Sequence, residues 1–389
     1  MIPKGFRLAS VAAGLRYHDR QDLGLIVSTP FHGAAGVFTL NLCQAAPVVW
    51  SKARVQSGRA ILVNAGQANA QTGEQGHKDC RKMAKSLSKL LNLFPDDILL
   101  ASTGIIGQPI NMAALEKALP ELVDSLSPEG EEGFSRSILT TDTTPKTAYA
   151  RISLAPGFKA TIWGCAKGSG MIAPNLATFL GFILTDAPAS VELMQNLLRE
   201  GAEATFNRVT IDGDTSTNDS LFLLSSGAAV TSPFSSGVKA KAFERGLMKV
   251  LESLARSLVL DGEGATRLVE IAVKGALDDR QAKLAAMTVA QSPLVKTAFF
   301  GCDPNWGRVL AALGRSGATF DPYRVDLNLN KIPWVRNGMD NGREKEVNEA
   351  MSLREYRLTI NLNVGKAVYT TLTCDFSPQY VTINSSYRS

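Results

Sequence analysis

The stretches LGLIV (residues 23–27) and AILV (residues 60–63) decide the fold class. Both are short and almost entirely apolar, which is typical of β-strands that are buried on both faces. Helical patterns alternate with them: residues 81–94 carry an apolar face that ends before Pro95, and Asn111 is placed to cap a further helix. This order predicts an α/β layered sandwich, in which helices flank β-sheets.

The C-terminal part has a different periodicity. Apolar and polar residues alternate over residues 358–364 and, after a turn at Gly365, over residues 368–376. A period of two is typical of half-buried strands, so these two segments are predicted to form a β-hairpin.

Composition excludes several classes of protein. The chain has 389 residues, 45% hydrophobic and 20% charged, which indicates a packed protein with two domains or lobes. Its net charge of +5 includes no basic block, so neither a nucleic-acid nor a membrane partner is expected. The five cysteines form no CxxC pair and the N-terminus has no continuous apolar core, which favours a cytoplasmic protein.

Four segments could carry chemistry, although the phosphate-loop, HExxH and GxSxG motifs are absent. Residues 102–107 form either an ordinary turn or one whose N–H groups face an oxyanion. Residues 167–178 lead through glycines to Thr178, which would also suit a buried strand. Residues 210–219 favour a hydrogen-bonded turn network over a calcium loop, and residues 301–308 favour a helix cap.

Ten short segments, spread over nearly the whole chain, carry a family resemblance. They are AAGVF (34–38), AAPVVWS (45–51), NAGQANAQTGEQG (64–76), STGIIG (102–107), TTDTTPK (140–146), KGSGMIAPNLAT (167–178), TIDGDTSTND (210–219), DGEGAT (261–266), GCDPNWGR (301–308) and YVTINSSYRS (380–389). In this order they resemble the ornithine acetyltransferase family, the bifunctional glutamate N-acetyltransferases. The chain departs from the family at Ala65 and Gln67, where serine and asparagine are usual, and at Ser389, where threonine is more common.

The resemblance implies a self-processing fold with an N-terminal threonine as nucleophile. The precursor would cleave itself between Ala177 and Thr178 into an α chain, residues 1–177, and a β chain, residues 178–389. The new α-amino group, with a reference pKa of about 7.7–8.0, would then serve as base for the hydroxyl of Thr178. Thr103 and Gly104 would form the oxyanion hole. The three histidines of the chain would not be needed.

The reaction implied is transfer of the acetyl group from N2-acetyl-L-ornithine to L-glutamate through a Thr178 acyl-enzyme, in cyclic arginine biosynthesis. Whether acetyl-CoA also serves as donor stays open. The implied substrate contacts are Thr141, with Thr140 as the alternative, Lys167, Thr178, Glu263, Asn384 and Ser389. No cofactor or metal is implied, and the expected assembly is an (αβ)2 heterotetramer.

Two other functions compete with this one. A self-processing aminopeptidase or amidohydrolase of related fold would discharge the acyl-enzyme to water instead of glutamate. A binding protein that kept the fold would remain an uncleaved chain without acetyl exchange. Added glutamate separates the first two, because only the transferase would make acetylglutamate.

Overall fold

The computed structural model describes residues 2–17, 19–173, 179–229 and 232–386, which divide into two compact units. Of the described residues, unit 1 holds those up to 207 and residues 214–258, and unit 2 holds residues 208–213 and 259–386. The length of the chain predicted two such lobes. The Ala177–Thr178 bond lies within the sequence of unit 1, so the predicted chains and the two units are different divisions.

Unit 1 contains two sheets and six α-helices within the described ranges. The first sheet has the order β1 (Phe6–Val11), β2 (Leu23–Ser28), β4 (Ala60–Gln67), β5 (Ile98–Ile105). The second has the order β3 (Gly33–Phe38), β10 (Ser220–Ser225), β8 (Leu180–Thr185), β7 (Phe158–Lys167), β6 (Lys146–Ala155). The helices are α1 (Ala46–Lys52), α2 (Gly73–Leu91), α3 (Met112–Asp124), α4 (Glu131–Ser137), α5 (Val191–Ala204) and α6 (Gly237–Leu260).

Strands β2, β4 and β5 of the first sheet are almost entirely buried because both of their faces are covered. Ile61 and Val63 of β4 pack in one core cluster with Phe182 of the second sheet. Leu62, which points the other way, packs with Met83 of α2 in a separate cluster. Every residue of β4 is buried. The predicted layered α/β sandwich is therefore confirmed, with the two sheets face to face.

Unit 2 is built on one seven-stranded sheet. Its order is β14 (Met339–Asp340), β13 (Ile332–Arg336), β12 (Asp326–Leu329), β15 (Glu355–Asn361), β11 (Leu268–Ala276), β16 (Ala367–Cys374), β9 (Val209–Thr210). The helices of this part are α7 (Asp279–Ala290), α8 (Pro293–Phe300), α9 (Trp306–Gly314), α10 (Glu344–Met351) and α11 (Pro378–Ser386). Asn305 caps α9 by accepting a hydrogen bond from the Arg308 N–H at 3.3 Å, which confirms the predicted cap.

The structure corrects two predictions of local structure. The C-terminal strands β15 and β16 exist, but they do not form a hairpin, because β11 lies between them, parallel to β15 and antiparallel to β16. The helix predicted over residues 81–94 is α2, which begins earlier, at Gly73, and ends at Leu91 with Asn92 as its C-cap. Asn92 adopts a left-handed conformation (φ 54°) and its N–H bonds the Ser88 carbonyl.

Candidate active site

The ends of β4 and β5 form one wall of a polar site in unit 1. The two strands are parallel, with Ala65 opposite Thr103 and Gly66 opposite Gly104. Thr103 and Gly104 belong to β5, so the turn predicted at residue 102 starts only after the strand. Gly104 has a φ of +129°, and a Cβ there would lie 2.2 Å from the Gly66 carbonyl carbon. Only glycine permits this close approach of the strands.

Lys167 lies at the end of β7 and points its ammonium group at two threonines. The side chain is buried, and Nζ donates hydrogen bonds to Thr140 Oγ1 at 2.7 Å and to Thr103 Oγ1 at 3.1 Å. Residues 103 and 167 are far apart in sequence and belong to different sheets. The fold therefore brings together three residues that the family resemblance singled out separately.

Thr140 and Thr141 have different partners. Thr140 accepts from Lys167, whereas the hydroxyl of Thr141 lies 2.8 Å from that of Ser169, with either atom able to donate. Both threonines are half-buried in the wall of the same site. The two threonines therefore differ in their contacts: Thr140 bonds the lysine, and Thr141 contacts the glycine-rich segment that follows β7.

Asp142 is the carboxylate that balances the lysines of this site, and sequence reasoning missed it. Its Oδ1 accepts from Lys146 Nζ and from the Gly168 N–H, both at 2.7 Å, and its Oδ2 lies 3.7 Å from Lys167 Nζ. Burial alone would raise the pKa of this carboxyl, but Lys167 and Lys146 outweigh burial and hold it well below its usual value. Asp142 and Lys146 both lie inside the quoted segment TTDTTPK, but the segment is not helical and its letters give no indication that these two charges are buried together.

Glu263 and Asn384 meet in unit 2. Asn384 lies on α11 and donates from Nδ2 to Glu263 Oε2 at 2.7 Å and to the Tyr380 carbonyl at 3.0 Å. Glu263 is buried, whereas Asn384 is exposed. Use of Asn384 required an ordered segment near the C-terminus, and the helix α11 supplies one.

Three of the predicted site residues lie outside the described part of the chain. They are Ala177 and Thr178, at the predicted cleavage site, and Ser389. The departures at Ala65 and Gln67 lie in β4, where Gln67 Nε2 donates to the Leu15 carbonyl at 2.8 Å. That side chain thus supports the neighbouring backbone.

Two kinds of feature are absent from the described residues. No group of three or more His, Cys, Asp or Glu side chains in these ranges could hold a metal ion. None of the described helices combines the length and apolar character that a membrane crossing requires.

Known proteins resemble this chain over nearly its whole length. The chain matches the ArgJ family over residues 7–389. It is 45% identical to "Arginine biosynthesis bifunctional protein ArgJ" of Desulfotalea psychrophila, over 99% of both chains. It is 44% identical to the protein of the same name from Dehalococcoides mccartyi, over 100% of this chain and 96% of that one. The crystal structure of ArgJ from Bacillus halodurans superposes with a TM-score of 0.51 at 34% identity, and covers 53% of this chain and 98% of its own.

The fold and these relatives define an enzyme of the N-acyltransferase class that works on small molecules in arginine biosynthesis. The chain belongs to the ArgJ family.

Proposed function

We propose that the enzyme moves an acetyl group from N2-acetyl-L-ornithine to L-glutamate through an acyl-enzyme on Thr178. One observation carries this proposal. Lys167 is the register partner of Leu180 in β8, two residues from Thr178 along the chain, and it also donates to Thr103. Thr178 therefore precedes by two residues a strand, β8, that pairs with β7, and β7 carries the lysine that bonds the predicted oxyanion residue Thr103.

The nucleophile would be made by self-cleavage. The Thr178 hydroxyl oxygen attacks the Ala177 carbonyl, the bond to the Thr178 nitrogen breaks, and that nitrogen takes the hydroxyl proton. Water then hydrolyses the resulting ester and releases a free hydroxyl beside a free α-amine. The superposition includes 98% of the Bacillus halodurans chain but only 53% of this chain. This is consistent with a relative that has been cut into two chains near its middle.

Transfer would use the same groups twice. The hydroxyl of Thr178 attacks the acetyl carbonyl while the α-amine takes its proton and passes it to the departing ornithine nitrogen. The amino group of glutamate then attacks the acyl-enzyme by the reverse path. Thr103 and Gly104 would stabilise both tetrahedral oxyanions, and one such donor is typically worth about 2.7–4 kcal/mol.

The remaining assignments support substrate binding. Lys167 supplies a buried cation that suits the α-carboxylate shared by both amino acids. Glu263, paired with Asn384, supplies an anion that suits the ornithine ammonium group. Together with Thr141 and Ser389 these residues complete the proposed contacts. We further propose a cytoplasmic (αβ)2 heterotetramer, with acetyl-CoA as a second donor to be tested.

The first experiment compares the wild type with Thr178→Ala. The wild type should give two masses, with the second chain beginning Thr178-Phe179-Leu180, and should convert acetylornithine and glutamate to ornithine and acetylglutamate. The variant should remain one chain without transfer, because it lacks the attacking oxygen. Free acetate in place of acetylglutamate would identify a hydrolase instead, and transfer by Thr178→Ala would contradict the nucleophile assignment.

A further inference from the structure

Asn218 and Asp219 end the polar segment 210–219 and immediately precede β10. Both are buried: Asn218 is 7% exposed and Asp219 is fully buried. The predicted turn network exists around them, since Thr217 Oγ1 donates to Asn218 Oδ1 at 2.6 Å and the Asn218 N–H donates to Ser216 Oγ at 3.0 Å. The proposed chemistry uses neither side chain.

Asp219 holds the peptide group that follows the proposed nucleophile. Its Oδ1 accepts the backbone N–H of Phe179 at 3.0 Å, and this nitrogen belongs to the peptide bond between Thr178 and Phe179. The Ser220 N–H bonds the Phe179 carbonyl at 3.2 Å, and the Phe179 ring stacks on Phe206 at 4.2 Å. Phe179 is therefore fixed on three sides.

The carboxyl group of Asp219 is fully buried, whereas aspartate side chains are mostly exposed to solvent. Burial raises its pKa well above the usual range, and the Phe179 N–H, the Ser216 hydroxyl and the charge of Lys167 offset only part of that effect. Its Oδ2 is buried with no hydrogen-bond partner among the described residues. A neutral carboxyl still accepts an N–H, so the contact with Phe179 does not depend on charge.

Asn218 holds the strand that carries the proposed oxyanion residues. Its Nδ2 donates to the Ala68 carbonyl at 2.6 Å and to the Ser102 carbonyl at 2.8 Å. The Ser102 carbonyl belongs to the peptide group whose nitrogen is that of Thr103. The Thr217 hydroxyl donates to Oδ1 and so fixes the orientation of the amide. Its two N–H groups are then directed at these two carbonyls.

We propose that Asn218 and Asp219 are a pair of positioning residues that hold the oxyanion strand and the nucleophile segment in fixed register. This inference rests on the proposed function. Neighbouring Cα atoms are about 3.8 Å apart, so two peptide groups held by adjacent residues cannot drift independently. A misplacement of about 1 Å at a reacting centre can cost about 100-fold in rate.

The test measures the rate of self-cleavage by intact mass, and kcat and KM for transfer, in Asn218→Ala, Asp219→Ala and Asp219→Asn. Asn218→Ala should lower kcat about 10- to 100-fold with little change in KM. Asp219→Ala should slow cleavage and lower kcat by a similar factor. Asp219→Asn keeps an oxygen that accepts the Phe179 N–H, so it should stay within about threefold of the wild type.

Matched controls separate positioning from stability. Asp186 is another buried aspartate, which accepts the Thr161 N–H at 2.7 Å and the Lys4 N–H at 3.3 Å. Gln195 is an amide that bonds both backbone groups of Gly36 in β3. Asp186→Ala and Gln195→Ala should lower the melting temperature but leave kcat within about twofold of the wild type. Turnover is measured at a temperature at which circular dichroism shows each variant to be folded.

Isosteric variants give the same test if an alanine variant does not fold. Asn218→Asp fills the same space but cannot donate to two carbonyls, so it should behave like Asn218→Ala. Wild-type cleavage and kcat in folded Asn218→Ala and Asp219→Ala would overturn the proposal. Equal defects in Asp219→Asn and Asp219→Ala would also overturn it, and would assign a proton-transfer role instead. A wild type that neither cleaves nor transfers is the separate failure of the proposed function, with which this inference falls.

Discussion

Asp142 shows how much one side chain contributes to this site. It is a fully buried carboxylate between two buried ammonium groups, one of which reaches the threonine of the oxyanion strand. Sequence reasoning found Lys167, Thr103 and the 140–141 pair through the family segments. It missed Asp142 because nothing in a short motif tells which of its charged residues is buried against its neighbours.

We expect Asp142→Asn to lower the free energy of unfolding at pH 7 by about 3–5 kcal/mol, because it removes the negative charge that two buried lysines share. Asp96→Asn is the control: it disrupts the exposed Arg54–Asp96 pair, and should cost about 1 kcal/mol or less. Urea unfolding measures both. Equal losses of stability in the two variants would show that the buried cluster contributes no more to the free energy of unfolding than an exposed ion pair does.

The wild type and Asp142→Asn should also differ in how their stability depends on pH. The folded pKa of Asp142 lies below its unfolded value of about 3.9, so its contribution is present above that value and is lost as pH falls through the folded pKa. The wild type should therefore lose stability more steeply than Asp142→Asn as the pH falls below about 5. Parallel stability curves in acid would contradict the direction given for this pKa.

At the scale of elements, local pattern predicted strands well and their partners poorly. β2 and β4 form where apolar runs indicated them, and Asn111 caps α3 as predicted, accepting from the Ala114 N–H at 3.2 Å. The pairing of β15 with β16 was wrong because β11, distant in sequence, takes the position between them. Alternation gives the face of a strand and carries no information about such a non-local neighbour.

The ends of β4 and β5 give an element-scale prediction. A Cβ on Gly104 would lie 2.2 Å from the Gly66 carbonyl carbon and 2.7 Å from the Gln67 nitrogen, which are backbone atoms of the paired strand. Gly107 also has a positive φ, +81°, but nothing lies within 4 Å of its Cβ position. Gly107→Ala should cost about 1–2 kcal/mol from backbone strain alone. Gly104→Ala should cost about 2 kcal/mol more, because the strands must separate.

Thermal unfolding and turnover distinguish these two glycine variants. Gly104→Ala should also lower kcat, since the strand that it displaces carries Thr103. Gly107→Ala should leave kcat within about twofold of the wild type at temperatures where it is folded. Similar stability and turnover in the two variants would mean that the strand ends adjust freely.

At the scale of the whole molecule, the second sheet of unit 1 determines what cleavage after residue 177 would do. Its order places β8 and β10, from residues 178–389, next to each other. β10 pairs with β3 and β8 pairs with β7, and both of these partners come from residues 1–177. Each fragment would therefore contribute strands that the other fragment needs for its backbone hydrogen bonds and its core.

We therefore expect the mature protein to stay associated after the bond is cut. The two fragments should coelute on native size exclusion, separate only under denaturing conditions, and unfold at one urea midpoint when each is followed by pulse proteolysis. An uncut Thr178→Ala chain is the control, and its sheets should be intact, because the pairing needs no cleavage. Fragments that separate in native buffer, each retaining its own strands, would contradict the shared sheet. The physical reason for the expectation is that parting them exposes β3 and β7 on one side and β8 and β10 on the other, all at once.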